Sequence, residues 1–382
     1  MRKRTIWIVF AAGLYSMFGL SVPSTAGASP PSWTISSGSG AGSEGSDNAM
    51  MSVACHAPST CVAVGTAQPQ NSESETSLVN LWNGQTWSTG PGSGANPIFR
   101  QVACPSTNRC FATVQTGLTQ VTGYGVWVYN GQTWRSIFRR PSNQLEDAPI
   151  SCSSPNHCVT FATTSTEVWS GSRWSSRPSP RGVSALSCPT AKLCVGAGSM
   201  GSRNNPTPSV AVFDGQQWRT TVFPLPVGAQ TGWLGGVSCA SSSWCVAVGT
   251  TQTTGEQSQT LIVEWNGKAW SQMPSPTPGI TTGHLGTNGN YLIQLEGVDC
   301  SSTSSCVAVG YDTTADPSLA VTNPLTMSYD GTSWSTDPAP ASATGTLSSV
   351  SCQSPGRCAA VGWTDTDSQT VAPLYEVTSA LK

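Results

Sequence analysis

Charge and histidine are scarce in this chain: Asp, Glu, Lys and Arg make up 9% of 382 residues, and histidine occurs 3 times. A formal net charge of −2 gives the chain no overall basic excess, and nucleic acid is not an expected partner. Catalytic signatures are missing too. There is no Gly-x-Ser-x-Gly elbow, His-Glu-x-x-His pair, phosphate loop or dinucleotide fingerprint. None of His56, His157 and His284 adjoins a nucleophile motif. Only one apolar run, Thr5 to Val22, approaches the length of a membrane span, which excludes a bundle of spanning helices.

The chain is instead rich in cysteine and tryptophan, and both recur on a period. Cysteines fall in pairs with five residues between them: Cys55/Cys61, Cys104/Cys110, Cys152/Cys158, Cys188/Cys194, Cys239/Cys245, Cys300/Cys306 and Cys352/Cys358. None is left over. An aliphatic residue stands two positions before each first cysteine (Val53, Val102, Ile150, Leu186, Val237, Val298, Val350), and a run such as Cys-Val-Ala-Val-Gly follows most second ones. A five-residue gap without a histidine set does not suit zinc, so no metal or other cofactor is expected. Seven disulfides are the expected pairing, which places the protein outside a reducing compartment.

The first residues agree with export. Met1 to Arg4 is basic, Thr5 to Val22 is apolar, and Ala26-Gly27-Ala28 offers a small-x-small cleavage site. Residues 1–28 are therefore read as a signal peptide and residues 29–382 as the secreted, extracellular domain; an uncleaved N-terminal anchor is the alternative. After cleavage no membrane contact is expected.

Each repeat reads as four strands. In the fifth, Leu234 to Cys239, Cys245 to Gly249, Leu261 to Trp265 and a strand starting near Lys268 follow in turn, with Asn266-Gly267 between the last two. Asn-Gly or Asp-Gly recurs at 83–84, 130–131, 214–215 and 330–331, with Ser170-Gly171 as a variant. These dipeptides predict two-residue type I′ hairpins. An aromatic residue precedes each turn, and a tryptophan (Trp87, Trp134, Trp174, Trp218, Trp270, Trp334) follows three residues after the Gly. The seventh repeat stops at a third strand around Leu374 to Val377, and the missing strand lies at the other end, where Trp33 echoes Trp87. An N-terminal strand over 31–37 that completes the last repeat predicts an all-β, seven-bladed β-propeller of four-stranded antiparallel blades. A linear stack of hairpins is the alternative and leaves Trp33 unexplained.

Function is less legible. The recurring tryptophans are expected to pack blades, and each disulfide to clip a five-residue hairpin loop, worth about 2 kcal/mol by chain entropy. The cysteine loops and Asn-Gly turns belong on one face of the ring. The loops between second and third strands (66–77, 115–125, 199–209, 250–260, 311–323) and between blades, the longest running from Ser271 to Tyr291, share the opposite face and vary, so that face is the candidate binding surface. From Arg100 to Arg219 there are 11 Arg or Lys against 4 Asp or Glu; from Thr220 onward the balance is 3 to 11. Arg139, Arg140, Arg177, Arg181 and Arg203 are placed on variable loops and could meet carboxylate, sulfate or phosphate groups; His284 and Tyr291 join them as candidate ligand-binding residues. Asp312/Asp316 and Asp365/Asp367 lack the full spacing of a calcium loop.

The units Gly236 to Thr250 and Leu261 to Gly279 resemble repeats of secreted bacterial propeller proteins of the actinobacterial type, mostly without assigned function. The resemblance spans nearly all of the mature chain. Asp330 to Trp334 is similar to the Asp-box turn of sialidase-like propellers but lacks its Ser, and kelch-type propellers share the plan without the cysteine hairpins. Two function classes follow: a monomeric, non-catalytic binding module for an extracellular glycan or protein, or a carbohydrate-active enzyme (glycoside hydrolase or polysaccharide lyase) whose acid and base come from facing blades.

Overall fold

In the computed structural model the first strand of each repeat runs along a common axis, and three more strands step outward from it. The structure describes residues 32–36, 47–69, 74–94, 97–116, 123–141, 148–162, 164–202, 204–253, 258–277, 292–316, 319–340, 344–365 and 371–378. They form seven four-stranded antiparallel sheets, each a meander. We number the blades one to seven by the order of their disulfides. The innermost strands are Asp47–Ala57, Ile98–Ser106, Ile150–Ser154, Val183–Thr190, Ala229–Ser241, Ile293–Ser302 and Thr346–Ser354. The outermost strand of blade seven is Trp33–Ile35, which pairs with Val371–Thr378 in the register Trp33↔Thr378 and Ile35↔Glu376. The ring is therefore closed by the N-terminal segment, as the stray Trp33 predicted. Residues 1–28, where a signal peptide is expected, lie outside the described residues.

Burial explains the residue choices. A second strand such as Thr60–Gln68 is covered on both faces, so Cys-Val-Ala-Val-Gly is apolar and small throughout. Each gap between blades holds its own core. Met50, Trp82 and Trp87 meet Val361, Tyr375 and Val377 between blades one and seven. Trp33 meets Val309, Leu347 and Leu374 between blades six and seven. The core between blades three and four is the smallest, with Val159, Cys188, Cys194 and Phe213 buried.

Six tryptophans sit directly opposite the aromatic residue that ends the third strand, as in Trp82↔Trp87 and Tyr329↔Trp334. The ring centroids of these pairs lie 5.1–5.9 Å apart. They are packing residues. This register corrects the turn type. With Trp82 opposite Trp87, the connection is four residues long rather than two, and the Asn83 side chain accepts from Gln85 N and Thr86 N at 2.9 Å each. Asp214 and Asp330 do the same in their turns. The turn selects Asn or Asp for a side-chain acceptor, and only the following Gly for its positive φ, 98° at Gly84.

All seven disulfides form, with Cα atoms 3.9–4.1 Å apart across the first hairpin. Their setting corrects the picture of a clip on an open loop. The strands continue past the bridge, as in Ala57↔Thr60 beyond Cys55↔Cys61, so the turn is tighter than the five-residue gap implies. The second cysteine of each pair, Cys61, Cys110, Cys158, Cys194, Cys245, Cys306 or Cys358, is no more than 2% exposed. It opens the small, buried second strand and belongs to the core between blades, where no ligand can touch it. Each bridge thus pins the inner strand to packed core, and its sulfurs are structural rather than part of a binding surface.

Three of the variable loops, 199–209, 250–260 and 311–323, need a further correction, since most of their length is strand. Leu193–Ser202 pairs with Asn205–Phe213 out to Ser202↔Asn205, and Ser305–Asp316 with Leu319–Tyr329 out to Asp316↔Leu319. Ser, Thr and Gly without apolar alternation read as loop, yet a hairpin that rises clear of the blade is wet on both faces and needs no alternation.

Candidate functional site

The first strand of a blade is an edge strand whose inner N–H and C=O groups have no ladder partner. Side chains of the neighbouring blade take up part of that row. In four blades the residue before the first cysteine accepts from the amide of the next blade's first cysteine: Ser151 from Cys188, Ser187 from Cys239, Ser238 from Cys300, and Ser351 from Cys55, at 2.9–3.0 Å. Blade six uses Asp299 instead, whose Oδ2 accepts from Cys352 N at 2.7 Å while Oδ1 accepts from Ser238 Oγ at 3.1 Å. Burial pushes the Asp299 carboxyl up despite these donors. Blades one and two have Ala54 and Ala103 at this position and so lack the hydroxyl.

Above this belt the first strands enclose an axial pocket of about 180 Å³. All seven aliphatic residues that precede the cysteines by two, Val53 to Val350, form the end of its wall nearest the cysteine hairpins. The rest is mostly small or polar, including Ser52, Ser184, Gly235, Gly236, Ser348 and Ser349. Blade five approaches blade six so closely there that a Cβ on Gly235 would stand 2.7 Å from the Leu295 carbonyl oxygen.

Six of the seven first strands carry a β-bulge four residues before the cysteine, at Met51, Arg100, Ser184, Gly235, Glu296 and Ser348. A bulge re-aims the side chain of its extra residue. Five of the second strands answer with a glycine beside the bulge. At Gly65, Gly198, Gly249, Gly310 and Gly362 a Cβ would lie 1.8–2.1 Å from a carbonyl oxygen of the first strand or of the residue leading into it. The last residue of Cys-Val-Ala-Val-Gly is thus the mark of the bulge in the sequence, and sequence reading missed both.

Two bulge residues are charged. Arg100 is tied down, with Nη2 2.8 Å from Glu75 Oε2 and 3.0 Å from Gln115 Oε1, and Nη1 3.5 Å from Met51 Sδ. Glu296 lines the pocket and is its one titratable side chain among the described residues. Gln294 Nε2 donates to Glu296 Oε1, and Tyr311 Oη donates to Gln294 Oε1 at 3.1 Å. Burial raises the Glu296 carboxyl; the Tyr311 phenol is raised by its own burial and then by the charge of Glu296. Next to Tyr311, Asp312 accepts from Asn323 Nδ2 at 3.1 Å and is also raised by burial.

The rim around the pocket is uneven. The second strand of blade three ends at Ala162, four residues past its cysteine, whereas that of blade six runs ten residues past, to Asp316. At ~3.3 Å per residue the difference is about 20 Å along the strand. The wall is high on blades four to six and low at blade three.

The described members of the arginine set lie on or beside outermost strands. Arg139 and Arg140 lie in the outermost strand Trp134–Pro141, and Arg177 in Trp174–Pro178, rather than on loops. Arg181 is in a connection, between blades three and four. Arg140 is engaged internally, with Nη2 2.9 Å from Oε1 of the fully buried Glu167, and it also donates to Ser176 Oγ. Arg139 lies over the Trp127 ring at 5.8 Å. Exposed polar strands on the outside of a ring look like loops in sequence, which accounts for the error. Arg203, His284, Tyr291 and the side chains of Asp316, Asp365 and Asp367 lie outside the described residues.

No protein-family model matches this sequence, and no curated protein is similar to it. Among solved structures, one titled "YCF48 bound to D1 peptide" matches with a TM-score of 0.56 at 12% identity, over 91% of this chain and 97% of that chain. The likeness is one of fold. Among the described residues, no helix is long and apolar enough to cross a membrane.

Proposed function

We propose that this protein is an exported, non-catalytic binding module that holds an extracellular ligand against its variable face, in the axial pocket and within the uneven rim. The observation that carries this reading is the pocket itself. A rigid, disulfide-clipped ring converges on one concave site, and the strand extensions that differ between blades surround it. Glycan and protein are the two ligand classes in play. A pocket that admits about one side chain favours a protein, and a propeller of the same fold is described in complex with a peptide. Glycoside cleavage needs two facing carboxylates, and the described pocket wall supplies Glu296 alone. The seven disulfides fit an oxidising, extracellular setting.

The test is an array of immobilised glycans and extracellular proteins, probed with the oxidised chain at two salt concentrations. A saturable ligand should appear, and Ser348→Trp, which fills the pocket from blade seven, should lose it at least tenfold. Lys192→Trp, on a cysteine loop of the opposite face, should not. Equal loss in both variants, or no ligand on the array, defeats the reading.

A further inference from the structure

We propose that the axial pocket receives the side-chain ammonium of a lysine from a protein ligand, with Glu296 as its counter-charge. This inference rests on the binding-module reading and names what the pocket selects. Three features carry it. The wall among the described residues holds one charge, and it is negative. The one cation among the bulge residues, Arg100 of blade two, is engaged by Glu75 and Gln115 and does not pair with it. And beyond its aliphatic end the described wall is mostly small or polar and carries no aromatic ring for a second ring to stack on, which suits an alkyl stem ending in a compact charge.

Lysine is favoured over arginine by the hydrogen bonds already in place. A guanidinium gains its advantage by gripping both oxygens of a carboxylate as a planar fork. Gln294 Nε2 occupies Oε1 of Glu296, and Tyr311 fixes Gln294 in turn, so the carboxylate is set for a point charge. The ionisable groups beside this site, Tyr311 and Asp312, lie on the second strand of blade six. The first strands packed on either side, Ala229–Ser241 and Thr346–Ser354, contain no charged residue. An entering cation therefore meets no competing positive group on these elements, and burial makes the carboxylate gain more from a partner than a wet one would.

The probe is acetyl-Gly-Lys-Gly-amide, titrated into the oxidised full chain by NMR or calorimetry, against the same peptide with norleucine or arginine in place of lysine. Saturable binding of the lysine peptide is expected, with norleucine at least tenfold weaker and arginine weaker than lysine. Glu296→Gln should cost the lysine peptide at least tenfold while thermal unfolding shows the ring intact. Gln294→Ala, which leaves the carboxylate in place and frees Oε1, should bring the arginine peptide level with lysine. Equal binding of lysine and norleucine peptides, or a Glu296→Gln protein that binds lysine as well as wild type, overturns the inference. If the array above yields a ligand whose affinity ignores Glu296→Gln, the inference fails while the binding-module reading stands.

Discussion

Glu167 and Glu376 occupy the same place in blades three and seven, two residues before the one paired with the outer tryptophan. Both are fully buried. Glu167 is held by Arg140, Ser165 and Ser176. Glu376 has no hydrogen-bond partner for either oxygen among the described residues, and burial raises it to about 7. The sign follows from linkage. Between the ordinary carboxylate range and about pH 7 the folded state holds a proton that the unfolded chain has lost, so stability is full in mild acid and falls as pH rises through that window. The loss approaches about 3 kcal/mol. Asp299, Asp337 and Glu296 are raised by burial as well and push in the same direction. Urea unfolding of the oxidised protein should therefore show a higher midpoint at pH 5 than at pH 8. Glu376→Gln should match wild type near pH 4 and exceed it by up to about 3 kcal/mol at pH 8.

At the scale of elements, the joints between first strands are the part most open to test. Ser187→Ala leaves Cys239 N without its acceptor and should cost about 1 kcal/mol by denaturant titration. Asp299→Ala orphans Cys352 N and frees Ser238, and should cost about 2 kcal/mol or more; Asp299→Ser, the residue used by four other blades, should recover most of it. These elements also show what was legible in the sequence. The cysteine spacing, the aliphatic residue before it and the Asn-Gly-x-x-Trp turn each impose one fixed local geometry, so together they predicted strands, blades and ring closure. The bulge was hidden because an extra residue in a ladder carries no composition of its own; its trace is a glycine on the partner strand. Glu296 was missed for the same reason. The arginines misled because a polar edge strand and a loop draw on the same residues, and only the neighbouring blade reveals that Arg140 belongs to Glu167.

For the whole molecule, the ring is as strong as its weakest joint and its closure. Blades three and four share the smallest core, and the belt there depends on Ser151. Native-state hydrogen exchange should show the first strands of these two blades opening before those of blades five and six. Trp33 buries its indole against blade six and donates from Nε1 to Asp337 Oδ2 at 3.3 Å. Trp33→Ala should cost about 3 kcal/mol or more and expose the last blade's edge, which light scattering would register as association.

The closing strand runs antiparallel to its partner, with Trp33 beside Thr378, so the first residue of one strand and the last of the other lie side by side at one end of the seam. A pull applied to both ends at once loads the seam as a zipper rather than in shear, and its hydrogen bonds yield one after another at low force. Stretched between both ends, the ring opens like a clasp.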